Sequence, residues 1–214
     1  MKSQDLVLLF KIHSLWSSER PLPALLRSDA WKGWETLAPS EILVPDSREL
    51  SEVGYDEHRR SLFTVRQLAA TTGISKSQVS LSLNRSLESG IAVADRRTGL
   101  PKVNAKALLG VIVHAVRYVF PARRGQVTRG IPTAMAAPVL RDQIVTAGEL
   151  VPVWPDPRGS IKGQAIEPLS DGVAQAVSDD PLLYAMLSLA DAIRIGQARE
   201  QSIAADLLRE IMES

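Results

Sequence analysis

TVRQLAATTGISKSQVSLSLNRSLESGI, residues 64–91, reads as two short helices joined by a tight turn. Thr64 and Gln67 stand at the spacing of a capping box, with a hydroxyl for the first free amides and an amide side chain reaching back. Val65, Leu68 and Ala69 then share one helical face. Gly73 suits the left-handed residue that ends a helix, and Ile74 plugs the joint. Ser75 and Gln78 form a second box, opening a helix expected to run to about Ser89. Gly90 stops it and Ile91 returns the chain to the core. Two capped helices around a glycine-bearing turn match the helix-turn-helix layout, a device for reading DNA.

The flanking sequence extends this unit in both directions. Over residues 3–16, Leu6, Leu9, Phe10 and His13 fall at i, i+3, i+4 and i+7, a stripe for packing beneath the motif. After Ile91, the apolar pieces Ala92–Ala94 and Leu100–Val103 flank Asp95-Arg-Arg-Thr-Gly99, which predicts a small hairpin with Arg96 and Arg97 at its tip. Asn104 then caps a helix through about Tyr118, ended by Pro121. Residues 17–60 separate the first helix from the motif and carry Trp31, Trp34 and four prolines. Short helices are expected there over 25–34 and 47–53. The apolar content of this insert argues against simple disorder, and it packs on its own domain or carries an interface.

Residues 119–168 alternate glycine with proline, which predicts short edge-type strands in place of a large sheet. Leu150–Trp154, the turn Pro155–Gly159 and Ser160–Ile166 suggest a hairpin. Asp180-Pro181 then opens a long final helix, cap first and proline next. Leu183, Met186, Leu187, Ala190 and Ile193 form its stripe, and Gly196 kinks or divides it.

The fold class expected is therefore mainly α with small β. A winged helix-turn-helix domain with a long insert (17–60) occupies residues 1–118. A C-terminal α+β region with short strands and a long final helix, serving oligomerisation, a partner or sensing, occupies 119–214.

A net charge of +1 hides a strong asymmetry. Residues 1–60 hold 8 Lys/Arg against 10 Asp/Glu, residues 61–130 hold 11 against 2, and residues 131–214 hold 6 against 12. The basic block centres on the helix-turn-helix, as a phosphate-binding surface requires, and the acidic flanks repel DNA from the rest. No apolar run reaches the ~18 residues of a membrane span. The absence of cysteine excludes disulfides and thiol chemistry. With no export signal at the start, a reducing cytoplasm is expected.

The first helix, the capped pair and the basic-tipped hairpin together resemble the winged helix-turn-helix transcriptional regulators of bacteria, the broad class that includes the MarR and IclR families. The matching residues are Thr64–Ala70, Gly73–Val79, Asn84-Arg85 through Ile91, and Arg96-Arg97, so the likeness covers roughly 3–16 and 61–104. It departs in the long insert and in Ser86, which stands where such helices often place a bulky apolar residue; Leu87 is expected to substitute.

The resemblance implies that the second helix of the pair enters the major groove. Helical phase puts Val79, Leu83 and Leu87 on its inner face. Lys76, Ser77, Ser80, Leu81, Asn84 and Arg85 are then left outside. Arg85 and Asn84 suit guanine or adenine edges, Lys76 a phosphate or guanine, Leu81 a thymine methyl, and Ser77 and Ser80 phosphates or bases. Arg96 and Arg97 reach a minor groove or the backbone from the wing, and Thr64, Ser75 and Lys102 complete the expected DNA-binding set.

Arg123, Arg124 and Arg129, set among glycines, form a second candidate site for an anion or partner. The simpler reading is turn glycines beside DNA-facing arginines. Trp154, Arg158 and Lys162 either form a binding surface or belong to an ordinary turn. His13, His58 and His114 have no metal-ligand spacing, Asp179-Asp180 reads as a helix cap, and no catalytic, metal or cofactor motif stands out. The function expected is a homodimeric, double-stranded-DNA-binding transcriptional regulator. A protein-partner-binding module, antitoxin-like or part of a defence system, is the alternative. So is a regulator whose C-terminal region senses a small-molecule effector.

Overall fold

The capped and apolar segments become ten helices and five strands among the described residues. The N-terminal half contains α1 (Ser3–Ser17), α2 (Glu52–Leu62), α3 (Val65–Thr72), α4 (Lys76–Glu88), the hairpin β1 (Ala92–Ala94) and β2 (Pro101–Val103), and α5 (Ala105–His114). Then come α6 (Val116–Val119), β3 (Arg124–Pro132), a 3-10 turn (Ala134–Ala136), α7 (Pro138–Arg141), β4 (Pro152–Pro155) and β5 (Ile161–Ile166). The chain closes with α8 (Val173–Ala176), α9 (Pro181–Ile195) and α10 (Ala198–Glu213). The computed structural model describes residues 1–18, 26, 52–141, 143–144, 150–159 and 161–213. The helices expected over 25–34 and 47–53 lie outside these, save Leu26, which is buried, and the start of α2.

Side-chain caps fix where the helices begin. The Thr64 hydroxyl accepts from the Gln67 amide at 3.2 Å, Ser75 from Gln78 at 3.4 Å, Asn104 from Ala107 at 3.2 Å and Asp180 from Leu183 at 2.9 Å. Of each expected box only the hydroxyl half forms: the Thr64 amide donates to the Ser61 carbonyl at 3.3 Å, and the Gln78 side chain accepts from Gln4 Nε2 on α1 at 3.0 Å. Gly73 ends α3 in the left-handed region at φ +69°. A Cβ there would also lie 2.8 Å from the Gly172 Cα, so this turn rests backbone to backbone on the start of α8.

Two helices far apart in sequence form the middle of the molecule. On α1 a single apolar stripe is expected; instead Leu6, Val7, Leu8, Leu9, Phe10 and Ile12 are all fully covered. A helix apolar all round belongs in a core. α9 is its counterpart, buried from Leu182 to Arg194. Asp180, which caps α9, also accepts from Lys11 Nζ at 2.9 Å and from the Ser14 hydroxyl at 2.7 Å, locking the two helices together. The helical run beyond Asp180 is divided at Gly196, which is extended and hydrogen-bonds to Ala192 O. One continuous apolar core reaches from Leu6 to Met212, crossing the boundary expected at 118/119.

The three strands of the C-terminal half close into a miniature barrel. β4 and β5 do not form the expected hairpin. Both run antiparallel to β3 and parallel to each other, with Pro152 opposite Gln164. The two strands flank β3 on its two edges, so Gly130 is opposite both Pro155 and Ile161. Between them the chain coils through Pro155–Gly159. So small a barrel has room inside for little but backbone. A Cβ on Gly130 would fall on the Trp154 carbonyl, one on Gly159 on the Gly130 backbone, and one on Gly163 on the Val151 carbonyl. Val153 fills what space remains.

Outside the barrel, Trp154 and Ile131 face α9 and are buried. The Trp154 indole N–H donates to Asp191 Oδ2 at 2.6 Å, and the Thr133 hydroxyl donates to the same oxygen at 3.0 Å. Arg194 Nη1 holds the other carboxylate oxygen at 2.6 Å and reaches the carbonyl of Glu167, while its Nε donates to the carbonyl of Phe120. Tyr184, one face of α9 further back, donates to the Pro132 carbonyl at 2.6 Å. α9 is thus bolted to the barrel by polar groups spaced at 184, 191 and 194.

Candidate nucleic-acid interface

The inner face of α4 differs from the one helical phase predicts. Val79, Ser82 and Ser86 are buried, Leu83 is half-buried, and Leu87 points outward with 42% of its surface exposed. Serines let α4 lie close to α1, so Ser86 takes the inner position itself and Leu87 does not substitute for it.

Arg85 moves with this rotation. Its Nε and Nη2 grip the two oxygens of Asp5 at 3.0 and 2.6 Å. Asp5 is 1% exposed and also accepts from the Lys2 amide at 2.7 Å. Burial alone would raise the Asp5 carboxyl. The Arg85 fork, the Lys2 amide and the neighbouring Ser82 hydroxyl outweigh it and hold the group below its usual range. Arg85 therefore fixes the angle of α4 on α1, and its guanidinium is committed inward, away from the outer face where it was expected.

The rest of the outer face stands as expected. Lys76, Ser77, Ser80, Leu81 and Asn84 are exposed, with Thr64 and Ser75 at the helix caps. Asp95 organises the hairpin tip by accepting from the amides of Arg97 and Thr98 and from the Thr98 hydroxyl, while Gly99 turns the chain at φ +71°. Arg96 and Arg97 are left in solvent. Lys102 is exposed too, its ammonium 5.2 Å from the Trp16 ring. Arg59 stacks on the same ring at 4.2 Å, and the Trp16 indole donates to the Pro101 carbonyl at 2.8 Å, anchoring the hairpin to α1.

The second candidate site resolves differently. Arg124 and Arg129 lie on β3, a strand that the glycine content had concealed. Its glycines serve close strand approach; they do not cradle an anion with free amides. Arg123 sits just before the strand and pairs with Glu167 at 3.9 Å. The expected surface of Trp154, Arg158 and Lys162 does not hold together: Trp154 is buried and Arg158 folds onto Asp156, while Lys162 is exposed. His114 is exposed at the end of α5. Among the described residues no three His, Asp or Glu side chains gather where a metal ion could be held. No helix among them is long and apolar enough to cross a membrane.

Sequence reading missed two residues that organise these surfaces, Asp5 and Asp191. An acid at the third position of the first helix was a visible signal for Asp5, but its arginine stands 80 residues away. No protein-family model, curated protein or solved structure matches the chain.

Proposed function

We propose that the chain is a double-stranded-DNA-binding transcriptional regulator that reads sequence through a winged helix-turn-helix. In this reading α3 and α4 form the pair, β1–β2 is the wing, and two copies act on a two-fold symmetric operator. One observation carries it. α4 presents Lys76, Ser77, Ser80, Leu81 and Asn84 outward, and the hairpin that follows lifts Arg96 and Arg97 into solvent, all within the basic block. Asn84 suits an adenine edge, Lys76 a guanine or phosphate, and Leu81 a thymine methyl. The wing arginines suit the backbone or the minor groove. Arg85 contributes by positioning, through Asp5. The reading makes the protein a cytoplasmic binder without catalytic chemistry or a cofactor.

A protein-partner-binding module is the second reading. It is favoured by the exposed Leu81 and Leu87 (48% and 42%) on a helix whose one outward cation is Lys76. Selection of bound fragments from a random duplex pool separates the two. An enriched two-fold motif is expected, weakened by Asn84→Ala by about 1–3 kcal/mol, or roughly 5- to 150-fold. A pool that stays unselected overturns the regulator reading.

A further inference from the structure

On β3 and β5 the register brings like charges together. Arg129 lies directly opposite Lys162, and cross-strand partners share a face of the sheet. The bulge between Arg124 and Val127 shifts the strand by one residue, placing Arg124 on that same face, opposite Ile166, which is itself buried. Without the bulge, Arg124 and Arg129, five residues apart, would point to opposite sides. Arg124, Arg129 and Lys162 are exposed, and no carboxylate pairs with any of them among the described residues. Their neutral contacts are slight: Arg124 to the Gln164 side chain at 3.3 Å and Arg129 to the Gly159 carbonyl at 3.4 Å. Like charges directly opposite on a sheet destabilise it, and a conflict of that kind marks a place where something else supplies the balance.

We infer that this face of the barrel is a second polyanion contact, holding the phosphate backbone of a nucleic-acid duplex. The choice of a duplex rests on the reading above; the cationic face does not. From Ile166 back to Lys162 is four strand steps, about 13 Å, which matches about four phosphates of one strand along a duplex axis. Arg124 stands at one end of this span and the Arg129–Lys162 pair at the other, with no acid between them on the face, an arrangement that fits a repeating anion. Exposed Val127 sits in the same row and adds no charge.

The test compares two triple variants of the full chain on one labelled duplex, with affinity followed across salt concentration. Arg124→Gln, Arg129→Gln and Lys162→Gln together are expected to make the log-affinity against log-salt slope shallower by about 2 to 3, while the preferred sequence is unchanged. Their melting temperature is expected to hold or rise, since a like-charge pair has gone, so lost binding cannot be assigned to unfolding. Lys76→Gln, Arg96→Gln and Arg97→Gln form the second set. An unchanged slope in the barrel variant, with binding lost in the second set, overturns the barrel contact and leaves the regulator reading standing. Binding lost in the barrel variant alone supports a polyanion contact on this face and overturns the winged-helix reading.

Discussion

Asp5 and Asp191 are each 1% exposed and each held by an arginine, yet they join the fold in opposite ways. At the α1–α4 contact the ion pair is itself the joint: carboxylate and guanidinium come from different helices. Arg85 keeps 27% of its side chain in solvent, and the partners win over burial, so Asp5 sits below its usual range. At the α9–barrel contact Arg194 stands three residues along the same helix, with 3% of its side chain exposed. There the pair is assembled within α9, and the joint is made by the neutral groups it reaches: Trp154, Thr133 and the carbonyls of Phe120 and Glu167. Burial pushes the Asp191 carboxyl up, against Arg194, Trp154 and Thr133. An ion pair at the rim sets an angle between elements; one at the centre acts as a hub for several.

The difference predicts unequal costs. Asp191→Ala leaves Arg194 buried without its anion and strands two donors, so a loss of about 3–5 kcal/mol in denaturant unfolding is expected. A loss below about 1 kcal/mol breaks the comparison. Asp5→Asn is milder, on the order of 1–3 kcal/mol, because Arg85 can turn to water. The same variant sharpens the contrast through pH. The Asp5 carboxyl is depressed in the fold, so its contribution is full above the ordinary value of 3.8 and fades as pH falls through the lower, folded value. The stability gap between wild type and Asp5→Asn should therefore be constant near neutrality and close in acid. A gap that stays open in acid assigns the effect to shape, not charge.

Much of the N-terminal half was legible because its signals are local. Thr64, Gly73, Ser75, Asn104 and the Asp95–Gly99 turn each act on residues within four positions, and each does so in the structure. The phase of α4 was not legible. Ser82 and Ser86 look like surface residues until α1 is laid against them, and no local pattern tells a close-packed serine from a solvated one. The barrel failed for a related reason. An apolar run, a turn and a second apolar run fit a hairpin equally well, and only pairing with β3 makes β4 and β5 parallel. β3 was hidden by its own composition, since the glycines that let strands touch also imitate a loop.

The salt link from Lys11 to Asp180 spans 169 residues. During synthesis α3, α4 and β2 can therefore cover part of α1, but the side of α1 that faces α9 stays open until α9 is made. Local helices and the β1–β2 hairpin can form as they are synthesised, but the apolar sleeve around α1 is completed last. Folding of this protein is in that sense a late closure, with a long interval in which the α9-facing side of α1 is a target for chaperones or for aggregation.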